Sequence, residues 1–209
     1  MKTYSVNEIF YSLQGEGVRA GTPNVFVRFA GCNLQCAVEP GQLSPGGFDC
    51  DTQFTGGVKM TAQEIVDKCR ELAWPCRSVV FTGGEPMLQV DVELVAAFGK
   101  AAESPEWYLC VETNGTVAVP AGWLDWITVS PKVAEHALRV VEASEVKYVL
   151  HAGQALPKPH INAEYYLLSP AWNPSTGFDR ATIEWCIKLC KENPKWRMSQ
   201  QLHKIWNVR

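Results

Sequence analysis

Six short apolar runs, separated by stretches of helical periodicity, constrain this 209-residue chain more than any other feature. Residues 24–30 (NVFVRFA), 78–81 (SVVF), 108–112, 126–130, 146–150 and 165–169 read as strands, rich in β-branched and aromatic residues. Residues 61–72, 91–103 and 182–192 read as helices. Thr61 with Glu64 three places on makes a capping box, and Asp91 is an N-cap. Alternating strand and helix implies a parallel sheet joined by crossover helices. Polar residues at the C-terminal ends of the strands suit an incomplete barrel or a doubly wound sheet, and in both the ligands collect at that edge. The gap between Ser130 and Val146 is too short for a full crossover helix, so some connections should be abbreviated. The expected fold is α/β, an incomplete (β/α)6-type barrel, with residues 1–209 forming one domain.

Composition narrows the function. Nineteen Lys plus Arg stand against twenty-two Asp plus Glu, a formal charge of −3, which excludes the basic surface a nucleic acid would need. No run of about 18 apolar residues is present to span a membrane. The opening Met1-Lys2-Thr3-Tyr4 lacks the apolar core of a signal peptide, so a cytoplasmic location is expected. In that reducing compartment the eight cysteines should be thiols, metal ligands or reactive groups rather than disulfides. Cys186 and Cys190, four apart on one helix face, read as packing thiols, as do the isolated Cys69, Cys76 and Cys110.

Cys32, Cys36 and Cys50 are different. They follow the first predicted strand in one loop, with three and then thirteen residues between them. Three thiolates can hold three corners of a four-iron, four-sulfur cube and leave one iron open; a zinc site completed by a distant His (136, 151, 160 or 203) is the alternative. A second segment, Gly83-Gly84-Glu85-Pro86, ends the 78–81 strand. Paired glycines admit close backbone approach, and a carboxylate can accept from an ammonium group. On residues 24–30, alternation puts Val25, Val27 and Phe29 on one face and Phe26, Arg28 and Ala30 on the other, toward a lumen. A guanidinium there needs an anion: a substrate carboxylate held bidentately, or an internal Glu or Asp.

The cysteine loop together with Gly83-Gly84-Glu85-Pro86 resembles the radical S-adenosylmethionine superfamily. Phe10-Tyr11-Ser12-Leu13-Gln14-Gly15-Glu16-Gly17, Val27-Arg28-Phe29-Ala30-Gly31-Cys32-Asn33-Leu34 and Cys50-Asp51-Thr52 resemble, more narrowly, the 7-carboxy-7-deazaguanine synthase family. Glu112-Thr113-Asn114-Gly115-Thr116, Ser130-Pro131-Lys132 and Gln201-Leu202-His203-Lys204 extend the resemblance from residue 8 to 206. It implies a radical S-adenosylmethionine barrel that converts 6-carboxy-5,6,7,8-tetrahydropterin to 7-carboxy-7-deazaguanine with loss of ammonia, on the path to queuosine and related deazapurines. The implied cofactors are one [4Fe-4S] cluster, S-adenosylmethionine and Mg2+. The implied partners are a small pterin, an electron donor such as flavodoxin or ferredoxin, and a second copy in a homodimer.

Residue by residue, the resemblance implies cluster ligands Cys32, Cys36 and Cys50, and magnesium at Thr52. Substrate contacts are expected from Leu13, Gln14, Gly15, Arg28, Thr82, His203 and the terminal Arg209. S-adenosylmethionine contacts are expected from Gly84 and Glu85 at the methionine end, from Ser130, Pro131 and Lys132, and from Ser169, Pro170, Ala171 and Trp172. Glu112 and Asn114 should shape the cofactor site or cap the strand end. Two features depart from the family pattern. An insertion at about residues 37–49 lengthens the cysteine loop, at a closure cost of roughly 1–2 kcal/mol. Asp49 also stands where an aromatic residue usually meets the adenine. The rival readings are a glycyl-radical activating protein, which needs an open docking edge for a large partner, and a non-catalytic iron–sulfur or zinc module, which needs a closed four-ligand site.

Overall fold

The computed structural model describes residues 2–34, 36, 55–99, 107–173 and 176–208. Cys50, Thr52, Asp49, Arg209 and the whole expected insertion at 37–49 lie outside them. The six predicted strands are all present and lie side by side in chain order. They are β2 (Pro23–Phe29), β4 (Ser78–Gly83), β5 (Tyr108–Thr113), β6 (Trp126–Val129), β7 (Glu142–Leu150) and β8 (Asn162–Pro170), each parallel to the next. A nine-stranded sheet results, because β1 (Tyr4–Leu13) adds antiparallel to β2, β3 (Val58–Met60) adds antiparallel to β1, and β11 (Trp196–Met198) extends the far edge in parallel. A separate ribbon pairs β9 (Trp172–Asn173) with β10 (Gly177–Phe178). The polar stretch Tyr4–Leu13 was not among the predicted strands, since it carries charged and amide side chains through its middle.

Helices cover one face of the sheet. α1 (Ala62–Ala73) begins with the expected capping box: Thr61 Oγ1 accepts from the Glu64 amide, and Glu64 accepts from the Thr61 amide at 2.7 Å. α2 (Val92–Ala97) is capped by Asp91, and α3 (Arg180–Glu192) by Asp179. α2 is shorter than the expected 91–103; Gly99 follows it with φ +80°, and residues 100–106 lie outside the described set. As the gap lengths required, β6 reaches β7 through one 3₁₀ turn (Glu135–Ala137) rather than a helix. The last helix, α4 (Leu202–Trp206), has one turn and folds back toward β1.

Alternation then divides each strand between two environments. Val25, Val27 and Phe29 of β2 are fully enclosed beneath α1 and α2 with Ile65, Leu94 and Phe81. Phe26, on the opposite face, stacks on Phe10 at 5.0 Å and packs with Val80, Cys110 and Trp126 at the bottom of the concave side. Cys69 and Cys186 are buried in the helix-side cores, their thiols pushed by burial up to about 12 and about 11, as packing groups should be. Among the described residues no helix is long and apolar enough to cross a membrane.

An aromatic row, Phe29–Phe81–Phe98–Trp107, crosses the helix-side core with centroid spacings of 6.0, 5.5 and 5.4 Å. Phe81→Ala should therefore destabilise the fold by about 3–5 kcal/mol, read as a lower urea midpoint with an unchanged m value.

Candidate active site

The inner face of the sheet is polar toward the C-terminal ends of its strands, and two groups of side chains gather there. The first surrounds the cysteine loop. Strand β2 ends at Phe29, and the chain turns at Gly31 (φ +90°) into Cys32. The Gly84 amide donates to the Phe29 carbonyl at 3.3 Å, and the Glu85 amide to the Gly31 carbonyl at 3.0 Å. A Cβ on Gly84 would run into the Gly31 carbonyl oxygen and lie 2.9 Å from the Cys32 Cβ. Only a residue without a side chain lets the β4 end lie flat on the cysteine loop.

Glu85 is fully enclosed. Its two carboxylate oxygens accept from the Met87 amide (3.0 Å), the Thr113 hydroxyl (2.7 Å) and the Asn114 amide (2.8 Å). Burial pushes its pKa up, against the pull of those three donors. The carboxylate thus points into the protein and ties the end of β5 to the end of β4. The carboxyl oxygens that the sequence offered to an ammonium group are engaged by these three protein donors. Asn114 in turn reaches Asn33 Oδ1 (3.3 Å) and lies 4.0 Å from Cys32 Sγ, while Asn33 donates to Thr116 Oγ1 (2.8 Å). The Leu34 amide also donates to Cys32 Sγ at 3.4 Å.

Among the described residues no group of three His, Cys, Asp or Glu side chains converges on a metal position; two loop thiols, Cys32 and Cys36, are described, and Cys50 is not. The donor set still fits an iron–sulfur cluster. Soft thiols sit at a strand end, and Cys32 sulfur faces an amide N–H and a side-chain amide, the donors that stabilise a metal-bound thiolate.

The second group lies deeper on the inner face. Gln14 is buried, and its side-chain amide donates to Glu112 Oε1 (2.9 Å) and accepts from the Glu16 amide (3.1 Å). Thr82 donates to the other oxygen of Glu112 (3.2 Å). Gly15 touches His203: a Cβ there would strike the imidazole, and the Gly15 carbonyl accepts from the Leu202 amide at 2.8 Å. The fold therefore brings together Gln14, Gly15, Thr82 and His203, which lie up to 189 residues apart (203 − 14 = 189). Leu13 is exposed at the end of β1. Arg28 faces inward as alternation required. Its Nε donates to Glu8 Oε1 at 2.7 Å and its guanidinium lies 5.7 Å from the Phe10 ring centroid, so an internal anion does partner it. Its two terminal nitrogens donate no hydrogen bond to the described residues.

Glu112 makes contacts that the sequence did not suggest. It was expected with Asn114 to shape the cofactor site or cap the strand end, and its carboxylate sits between Gln14 and Thr82. The remaining candidates occupy strand ends. The Ser130 amide donates to the Thr113 carbonyl at 2.8 Å, Pro131 is buried and Lys132 is partly exposed. Ser169, Pro170 and Ala171 are buried at the end of β8, and Trp172 packs edge-on to Phe178 with Lys204 Nζ 4.9 Å from its ring centroid.

Comparison with known proteins agrees with this geometry. Residues 27–157 match the Radical SAM superfamily. The 7-carboxy-7-deazaguanine synthase of Burkholderia multivorans is 41% identical over 219 residues, covering 99% of each chain. That of Bacteroides thetaiotaomicron is 38% identical over 204 residues, covering 98% of each. The crystal structure of QueE from Escherichia coli superposes with a TM-score of 0.69 at 24% identity, over 96% of this chain and 95% of the other, which shows the shared fold. The superfamily match and full-length identity to these synthases leave one assignment: the chain belongs to the 7-carboxy-7-deazaguanine synthase family of the radical SAM superfamily.

Proposed function

We propose that this protein makes 7-carboxy-7-deazaguanine from 6-carboxy-5,6,7,8-tetrahydropterin, with loss of ammonia. One observation carries the reading. Glu112 and Asn114 are two residues apart at the end of β5; Asn114 reaches the cysteine loop while Glu112 reaches Gln14 and Thr82. A single strand end thus joins the cluster region to a buried polar pocket floor, which is the adjacency a radical reaction on a small polar heterocycle needs.

When bound, the [4Fe-4S] cluster and S-adenosylmethionine supply the 5′-deoxyadenosyl radical that starts ring contraction. Cys32, Cys36 and Cys50 hold the cluster, and Thr52 contributes to Mg2+ binding. The main chain of Gly84 and Glu85 meets the methionine end; Ser130 to Lys132 meet the ribose or carboxylate region, Ser169 to Trp172 meet the adenine end, and Asp49 is assigned a cofactor contact. Glu112 offers a carboxylate to the amino-pyrimidinone edge, where paired N–H groups suit its two oxygens. Gln14 and Thr82 fix that carboxylate. Arg28, steadied by Glu8 on one side, presents its terminal nitrogens to the substrate carboxylate. His203 closes the pocket from the segment after β11, and Arg209 is assigned a further substrate contact. A reductant such as flavodoxin or ferredoxin, a homodimeric assembly and a cytoplasmic setting complete the proposal.

Anaerobic reconstitution with iron and sulfide, then assay with S-adenosylmethionine and the carboxytetrahydropterin, should yield 7-carboxy-7-deazaguanine. Cofactor cleavage without that product would overturn the substrate, and a colourless zinc protein would overturn the whole reading. Arg28→Ala should keep its iron and raise the pterin KM about 10- to 100-fold, the value of a charge-assisted pair; an unchanged KM would assign Arg28 to Glu8 alone. Gly84→Ala should cut the iron content by forcing the cysteine loop off β4, and Cys50→Ala should abolish it, whereas Cys186→Ala should leave it intact.

A further inference from the structure

Two charged side chains on the inner face have no part in the chemistry above. Glu145 and Lys147 lie two apart on β7, both turned inward and both buried. Glu145 is used locally: it accepts from the Val18 amide and the Thr128 hydroxyl, each at 2.8 Å. Lys147 is placed differently. Its ammonium forms an ion pair with Glu16, and the two side chains are only 9% and 15% exposed. Burial and the charge of Lys204 push the Lys147 pKa down to about 8; the carboxylate placed against its ammonium is that of Glu16.

Glu16 does not stop at Lys147. Its other oxygen accepts from Gln201 Nε2 at 2.8 Å, and Gln201 Oε1 accepts from Lys204 Nζ at 2.8 Å. The main chain follows the same path: Leu202 N–H donates to the Gly15 carbonyl (2.8 Å), and Gly17 N–H to Ser199 Oγ (2.9 Å). One buried ion pair therefore sits under the junction between the Gly15–Gly17 loop and the segment that carries His203. A terminal segment stays ordered only where something ties it down.

We propose that Lys147 is a positioning residue of the pterin site, acting through Glu16 and Gln201 to hold the Gly15 loop and the His203 segment in register. The inference rests on the pterin site proposed above. β7 supplies a fixed base, since it is hydrogen-bonded along its length to β8, with Lys147 opposite Leu167. Without the ammonium, Glu16 would keep a buried charge with one side-chain amide to offset it, and would turn toward water, drawing the loop away from residues 199–204.

The test uses reconstituted full-length enzyme, comparing wild type with Lys147→Met, Glu16→Gln and Gln201→Ala. Hydrogen–deuterium exchange of residues 199–206 is read alongside pterin KM and kcat. All three variants should exchange faster in that segment and raise KM about tenfold or more, with kcat at saturating pterin changed less than threefold. Wild-type exchange and KM in Lys147→Met and Gln201→Ala would overturn the proposal. Should Lys147→Met fail to fold, Gln201→Ala decides by itself, because it cuts the same link at an accessible residue. Exchange needs no turnover, so a wild type that protects this segment but makes no deazaguanine would refute the substrate assignment while the Lys147 link is still read.

Discussion

The enclosed carboxylate of Glu85 is the contact on which the working end of the sheet depends. A buried carboxylate is tolerated only when donors surround it, and its three donors come from Met87, Thr113 and Asn114. Satisfying that one group fixes the ends of β4 and β5 against each other. Gly84, pressed on the Gly31 carbonyl, then fixes the cysteine loop against both. The strand ends beside Cys32 are therefore tied together by the protein's own contacts, which favours holding reactive atoms in place.

The inner face continues this economy of paired polar groups. Glu112 is satisfied by Gln14 and Thr82, Glu145 by Val18 and Thr128, and Glu16 by Lys147 and Gln201. Each carboxylate on this face joins two or more elements remote in sequence. Apolar packing lies behind the sheet, in the helix-side cores, and at the Phe10–Phe26 stack. The division lets the pocket side spend its contacts on orientation, while the opposite side carries stability.

Several features were legible from residues alone. The six parallel strands follow from apolar runs bounded by turn residues, and the Thr61 and Asp91 caps from local chemistry. The inward aim of Arg28 follows from period-two alternation. Other features were not. Tyr4–Leu13 alternates too weakly to announce a strand; it lies between β2 and the short edge strand β3, and that pairing supplies what its side chains do not. The β7 segment Glu145-Val146-Lys147 did show charges two apart on one face, a signal that could have exposed the buried pair.

By itself, the sequence determined the order and spacing of the strands, the three thiols and the Gly-Gly-Glu turn, because each is written in local periodicity or in contiguous residues. Only the tertiary structure decided that Glu85 faces inward, that Glu112 serves Gln14 and Thr82, that Arg28 leans on Glu8, and that Lys147 reaches the C-terminal segment through Glu16. Those choices depend on which strand ends meet across the barrel. Pairing between residues on different elements is set by how the whole sheet curves, and no local pattern in the chain encodes it.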